Sequence, residues 1–229
     1  MFPDFIVVVD ANAQAACQLG HDSGAELAAK EGKRAYLKTH SANVAVNGIP
    51  QNLDEYIDKY VYLVRHPLDL IPSYAHHMSC SIEETWQRMQ METFMTRRDK
   101  DSPCWELVGS WQRHTRSWLE LAAAKPGKVI VIRYEDMKRQ PITTFQNVLK
   151  HLGLGYDEAL FANCLHWSHF ETMKAEEQAM EGGYVESTQS GNFFRKGEVG
   201  DGAKTVSKTI QNEILDKYDD LLKTLGYAR

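Results

Sequence analysis

Cysteine is scarce in this chain and scattered where it occurs. Cys17, Cys80, Cys104 and Cys164 form no C-x-x-C pair and no zinc-like spacing with histidine. That distribution argues against a disulfide framework and for reduced thiols in a reducing compartment. Long apolar runs are missing as well, and none approaches the ~20 residues of a membrane span. Phe2 to Val9 has neither a basic flank nor a cleavage site, so no secretory leader is expected and the cytoplasm is the expected location. Basic charge is not in excess: 26 Lys and Arg stand against 31 Asp and Glu, a net charge of −5. This balance speaks against nucleic acid or an anionic membrane surface as a partner, and it makes any anion pocket a local feature. Glycine is missing where a phosphate loop would need it. Ile6-Val-Val-Val9 reads as a short strand, and Ala11 to Leu19 as a short helix capped by Asp10. The turn between them, Asp10-Ala-Asn-Ala-Gln14, supplies no glycine, lysine or hydroxyl and adds a negative charge, so it is not a phosphate loop. His76 and His77 are neighbours that point in different directions on a helix, which argues against a metal site.

What is present is enough apolar material for one sizeable domain, with 43% hydrophobic residues over 229 positions. The stretch from Tyr60 to Met78 organises it. Tyr60 to Val64 is a short continuous apolar run of the kind that forms a buried strand in a parallel sheet. Arg65 stands where that strand ends, Pro67 breaks the ladder, and helical apolar spacing follows at Leu68, Ile71, Tyr74, Ala75 and Met78. A strand turning into a helix aims the first helical amides at the carboxyl edge of the sheet, where α/β proteins hold anionic ligands. A guanidinium there suits phosphate. The competing reading is an ordinary ion pair between Arg65 and Asp69. Upstream, Ala35 to His40 is a short extended approach in which alternation places Lys38 and His40 on one side. An imidazole can take a proton from an incoming hydroxyl, and an ammonium can offset charge on a leaving oxygen. A lone histidine is more often structural.

Further along, Glu26 to Lys33 reads as the end of a polar helix closed by Gly32, Ser41 to Pro50 as a loop, and Pro50 to Asp58 as a surface helix. Residues 79–108 read as an irregular helix pair carrying Trp86, Met89, Met91, Phe94, Met95 and Trp105. These large side chains suit a core and an apolar acceptor pocket equally. A helix from Gly109 puts Trp111, Thr115 and Trp118 on one face and ends at Pro126-Gly127. Lys128 to Arg133 is a second strand, followed by Tyr134-Glu-Asp-Met137, in which the two acids are read as structural. Residues 141–153 form a helix with Phe145, Val148, Leu149 and Leu152 inward, and Asp157 to Leu165 forms another. Glu176 to Ser190 is polar and expected to be mobile. Next, Phe193-Phe-Arg-Lys-Gly197 puts a basic pair before a glycine, which lets side chains and backbone converge on one phosphate. A closing helix over 205–226 turns Ile210, Ile214, Tyr218, Leu221, Leu222 and Leu225 inward.

In order and spacing, these segments resemble the PAPS-dependent sulfotransferases from about residue 36 to 229. The resemblance rests on Lys38-Thr-His40, Arg65-His-Pro-Leu-Asp69 with Ser73, Gly109-Ser-Trp111…His114…Trp118, Tyr134-Glu-Asp-Met137, Trp167 to Met173 and Arg195-Lys-Gly197. It implies an α/β, three-layer P-loop-NTPase-like fold with a central parallel sheet flanked by helices, as a single sulfotransferase domain over 1–229. It implies 3'-phosphoadenosine 5'-phosphosulfate (PAPS) as donor, the bisphosphate PAP as product, and no metal. His40 becomes the general base and Lys38 a contact to the transferred group. Arg65, Ser73, Phe194, Arg195, Lys196 and Gly197 are assigned to the 3'-phosphate clamp, and Tyr134, Ser168 and Phe170 to the adenine, with stacking on Phe170 worth ~1–3 kcal/mol. Core burial accounts for Phe170 equally well.

The implied reaction moves a sulfonyl group to a hydroxyl or amine of a small acceptor, with an apolar alcohol or phenol favoured by residues 79–108. Two departures stand out. The family's opening strand and Pro-Lys-Ser-Gly-Thr-Thr-like loop for the 5'-phosphosulfate have no match; either the segment lies outside the given sequence, which is the expectation, or the chain has lost its 5' site. Where the family continues Trp-Lys after its glycine-aspartate, this chain reads Gly202-Ala-Lys204. A homodimer is an open expectation: Lys204 and Glu213 keep the spacing of the family's Lys-x-x-x-Thr-Val-x-x-x-Glu stretch, but Lys208-Thr209 replaces Thr-Val. Two rivals are a non-catalytic module that binds 3'-phosphoadenosine nucleotides and a kinase-like phosphoryl transferase. The second would need carboxylates placed for Mg²⁺, and Asp69 and Asp136 look structural instead.

Overall fold

The computed structural model describes residues 7–12, 34–52, 57–97, 105–180 and 193–227. The chain divides into two compact units, one of residues 1–65 and 89–134, the other of 66–88 and 135–229.

The first unit holds a four-stranded sheet in the order β2-β1-β5-β8, formed by β1 (Val7–Asn12), β2 (Arg34–Thr39), β5 (Ile57–Val64) and β8 (Val129–Arg133). The two apolar runs expected as buried strands, β5 and β8, pair in parallel from Tyr60↔Val129 to Val64↔Arg133. β1 is antiparallel to both its neighbours. β2, β5 and β8 therefore share one direction and β1 alone opposes it, within the α/β class expected. Asp10, Ala11 and Asn12 continue the strand, so the helix expected from Ala11 does not begin there. The rest of that segment, and the helix end at 26–33, lie outside the described residues. Residues 41–50, expected as a loop, contain a small hairpin of β3 (Ala45–Val46) and β4 (Ile49–Pro50). Its turn uses Asn47 and Gly48 at φ 51° and 79°, the left-handed pair that fits strand twist.

Two other expectations fail locally. A helix does not fill 50–58, since Pro50 closes β4 and Ile57 opens β5, while residues 53–56 lie outside the described residues. Instead of a helix pair over 79–108, one helix, α2 (Ile82–Met89), precedes an antiparallel pair of β6 (Met95–Arg97) and β7 (Trp105–Leu107). Trp86 and Met89 are buried while Met91 and Met95 are exposed, so the first two serve the core. Helix α3 (Trp111–Ala124) begins at Ser110, whose Oγ accepts from the Arg113 amide and donates to Glu92 Oε1 at 2.6 Å. Its buried face, Trp111, His114, Thr115, Trp118 and Leu121, packs against β8. Trp118 meets Tyr60 edge-on at 5.0 Å and stacks on Tyr62 at 5.8 Å. The Tyr62 hydroxyl donates to Thr115 Oγ1 and lies 3.2 Å from His114 Nδ1.

In the second unit, α1 (Pro67–His77) starts where His66 Nδ1 accepts from the Leu68 amide and Pro67 supplies a preset φ. Pro72 inside this helix has no N–H to give to the Leu68 carbonyl. Against that carbonyl lies Gly202 of α8 (Asp201–Thr205), so close that a Cβ there would overlap it. Buried Asp69 completes the joint, accepting from the amides of Gly200 at 2.6 Å and Gly202 at 2.8 Å. The closing helix α9 (Lys208–Thr224) is capped by Ser207 and buries the apolar face expected for it. Between lie α4 (Tyr134–Arg139), α5 (Pro141–His151), α6 (Glu158–Trp167) and α7 (Phe170–Ala179). Helix α7 takes Glu176 to Ala179 out of the stretch expected to be mobile, and 181–192 lie outside the described residues. Glu135 is structural as expected, but its oxygens serve the His66 amide and the Tyr227 hydroxyl rather than a basic residue. No described helix is long and apolar enough to cross a membrane.

Two outcomes follow from these buried polar groups. Asp69→Asn removes a charged acceptor from two amides and is expected to cost ~2 kcal/mol of stability in a urea titration. Burial pushes the His114 imidazole down to about 3, against the pull of its bond to the His40 carbonyl. Below the ordinary value the unfolded chain takes up a proton that the folded chain refuses until about pH 3. Acid therefore lowers stability across that interval by about 1.4 kcal/mol per pH unit. His66, also pushed down by burial against the carboxylates of Glu135 and Asp69, acts in the same sense. In His114→Gln the acid slope of the unfolding midpoint should be distinctly shallower than in the wild type.

Candidate active site

The site in the first unit is built on the end of β2. The strand stops at Thr39, whose Oγ1 accepts from the Ser41 amide, and the chain turns there. Lys38 is consequently exposed while His40 is 3% exposed, a sharper difference than simple alternation implies. The turn is secured almost wholly by side chains from elsewhere. Glu106 Oε1 accepts the Thr39 hydroxyl at 3.1 Å and the His40 amide at 2.9 Å. His114 Nε2 lies 3.2 Å from the His40 carbonyl oxygen, and Trp118 Nε1 donates to the Ser41 carbonyl at 3.3 Å. Ser117 Oγ takes the Asn43 amide at 2.9 Å, and the Leu107 carbonyl takes that of Ala42. Sequence reading gave no role to Glu106, an isolated acid in a three-residue strand, and it used His114 only as a family marker.

At the end of β5, Arg65 is 4% exposed and its guanidinium lies over the Tyr134 ring, 4.3 Å from the centroid. A guanidinium held over an aromatic ring is oriented by it.

Ser73, Ser168, Phe170 and the Phe194 to Gly197 loop belong to the second unit. Arg195 donates to Asp201 Oδ2 at 2.6 Å and Lys196 to Oδ1 at 2.8 Å, so both cations converge on one carboxylate. Burial raises the Asp201 carboxyl, but the bonds from Lys196 and Arg195 outweigh it and hold the group below its usual range. Gly197, at φ 62°, presses on the Phe170 ring so tightly that no side chain fits. Phe170 meets Phe194 edge-on at 5.7 Å, with Lys138 and Lys174 Nζ 5.1 and 5.9 Å from its centroid. Buried Glu177 accepts the amides of Phe193 and Phe194 and anchors the start of the loop. Ser73 lies half-buried in α1, and Ser168 is exposed at the end of α6 with its hydroxyl on the Leu165 carbonyl. Neither serine bonds to another member of the expected set. Among the described residues no cluster of three or more His, Cys, Asp or Glu could hold a metal ion.

Rat sulfotransferase 1A1 is 28% identical over 208 residues, covering 87% of this chain and 66% of the relative. Human sulfotransferase 1C2 is 29% identical over 202 residues, covering 85% and 64%. The chain thus spans a little under two thirds of the length of these relatives. The solved structure of retinol dehydratase in complex with retinol and PAP superposes with a TM-score of 0.53 at 17% identity, covering 79% of this chain and 52% of that one. That likeness concerns the fold. The sulfotransferase domain family itself matches from residue 16 to residue 226, taking in the turn at His40, Arg65 and the loop at Arg195, and the chain belongs to that family.

Proposed function

We propose that this protein transfers a sulfonyl group from PAPS to a hydroxyl, or an amine, of a small apolar acceptor such as an alcohol or phenol. The observation that carries the reading is the buried His40, whose amide and carbonyl are both held by side chains, in a chain of the sulfotransferase family. A general base must be placed before its proton-accepting power matters. Support for the acceptor class comes from retinol, the small alcohol bound in the retinol dehydratase structure.

The residues present suit the nucleotide's 3'-phosphate. Arg195 and Lys196 already meet on the two oxygens of one acid, the arrangement a phosphate requires. Arg65, oriented by Tyr134, supplies a further buried cation. Phe170, backed by Gly197 and Phe194, is a proposed adenine neighbour; the family resemblance adds Tyr134 and Ser168 for the adenine and Ser73 for the 3'-phosphate. PAPS supplies the sulfonyl group. His40 removes the acceptor proton as the acceptor oxygen bonds to sulfur. Lys38 offsets the charge gathering on the bridging oxygen, which keeps the electron pair of the broken sulfur–oxygen bond as PAP departs.

Titration calorimetry with PAP, with ATP as control, tests the clamp: strong heat with PAP and little with ATP is expected. Arg65→Ala and Arg195→Ala should each weaken PAP by ~1.5–3 kcal/mol, the loss of a charge-assisted bond. Unchanged affinity in both variants would remove the clamp. His40→Ala should lower turnover by ~10²-fold or more at near-normal PAP affinity. Wild-type turnover in that variant would refute the base assignment.

A further inference from the structure

The same carboxylate oxygen that takes the Thr39 hydroxyl takes the His40 amide. We infer that Glu106 is a positioning residue for His40: it sets where the imidazole stands by holding the main chain at that residue, without touching substrate. The inference rests on the sulfonyl-transfer reading for its effect on turnover, but its geometric content is independent of it.

The argument starts from the end of a strand. When β2 stops at Thr39, the next amides leave the sheet ladder and need other acceptors, because buried N–H groups without one are costly. His40 is buried, so water is a poor substitute. Glu106 comes from β7, which is tied to the same turn through the bond from the Ala42 amide to the Leu107 carbonyl. Its bond to the amide fixes the position of the His40 Cα, and the opposite side of the residue is held by His114 at the carbonyl. With both peptide groups flanking His40 fixed, the imidazole is carried on a rigid base and only its own side-chain torsions remain. Remove Glu106 and one of the two supports goes. The Thr39 hydroxyl, which also receives the Ser41 amide, loses its acceptor at the same time. A shift of ~1 Å in a reacting group is enough for ~10²-fold in rate.

The role asks for an acceptor oxygen at the right reach, and not for a charge. Glu106→Gln keeps reach and a carbonyl oxygen but loses the charge, whereas Glu106→Asp keeps the charge and draws the oxygen back by one methylene. The experiment measures transfer from PAPS to 2-naphthol as a probe acceptor, with PAP affinity and thermal midpoint alongside. Hydrogen exchange of the His40 amide is read by NMR in the absence of any substrate. Glu106→Ala should lower kcat ~10- to 100-fold with the KM for PAPS and PAP affinity within ~3-fold of wild type, and should speed His40 amide exchange ~10-fold or more. Glu106→Gln should recover most of both, and Glu106→Asp much less. The opposite ranking of Gln and Asp, or wild-type kcat and amide protection in all three variants, would overturn the inference. If the alanine variant fails to fold, the Gln and Asp pair still decides. His40→Ala serves as the control: full turnover in it would sink the base assignment, while the exchange data on the Glu106 variants would still decide whether Glu106 holds the turn.

Discussion

Everything at the proposed reaction centre depends on how a chain leaves a sheet. Main-chain donors and acceptors that were satisfied along β2 lose the ladder after Thr39 and are satisfied again within four residues, chiefly by side chains. Helix α3 provides three of those side chains, at His114, Ser117 and Trp118, on the face it turns inward. The face that builds the core is therefore also the one that grips the turn. This couples the placement of His40 to the packing of Tyr60 and Tyr62 against Trp118.

The second unit solves a comparable problem with acids. Asp69, Glu135, Glu177 and Asp201 are all buried, and each is matched to amides, a hydroxyl or cations. A carboxylate offers two acceptor oxygens and no donor, which lets one side chain tie two loop amides, each at its own oxygen. The glycines at 197 and 202 serve the same economy from the other side. They remove atoms where a ring or a helix carbonyl must come close.

Legibility from the sequence followed the range of the interactions. β5, β8, α3 and α9 were readable because their apolar spacing is a local record of which face is buried. The hairpin of β6 and β7 was not, since strands of three residues are too short to show a period. Asp10 reads as a helix cap in isolation, yet pairing with β2 and β5 keeps it in a strand. The even spacing of Lys38 and His40 did not show how far their exposures differ, because the strand ends between them, at Thr39. The arginines and the histidine of the candidate site were singled out through the order of family motifs. Glu106 was not, because its meaning lies in a contact 66 residues away.

One contact in the loop bears on discrimination among anions. Arg195 and Lys196 do not wait as bare charges; both are already bonded to Asp201. An incoming group must therefore compete with a carboxylate that is fixed in place and carries a single charge. On the proposed reading, a phosphate dianion, with more charge and a third oxygen, would displace that carboxylate more readily than a carboxylate or a sulfate ester would, so Asp201 would set a threshold of valence for the ligands of the loop.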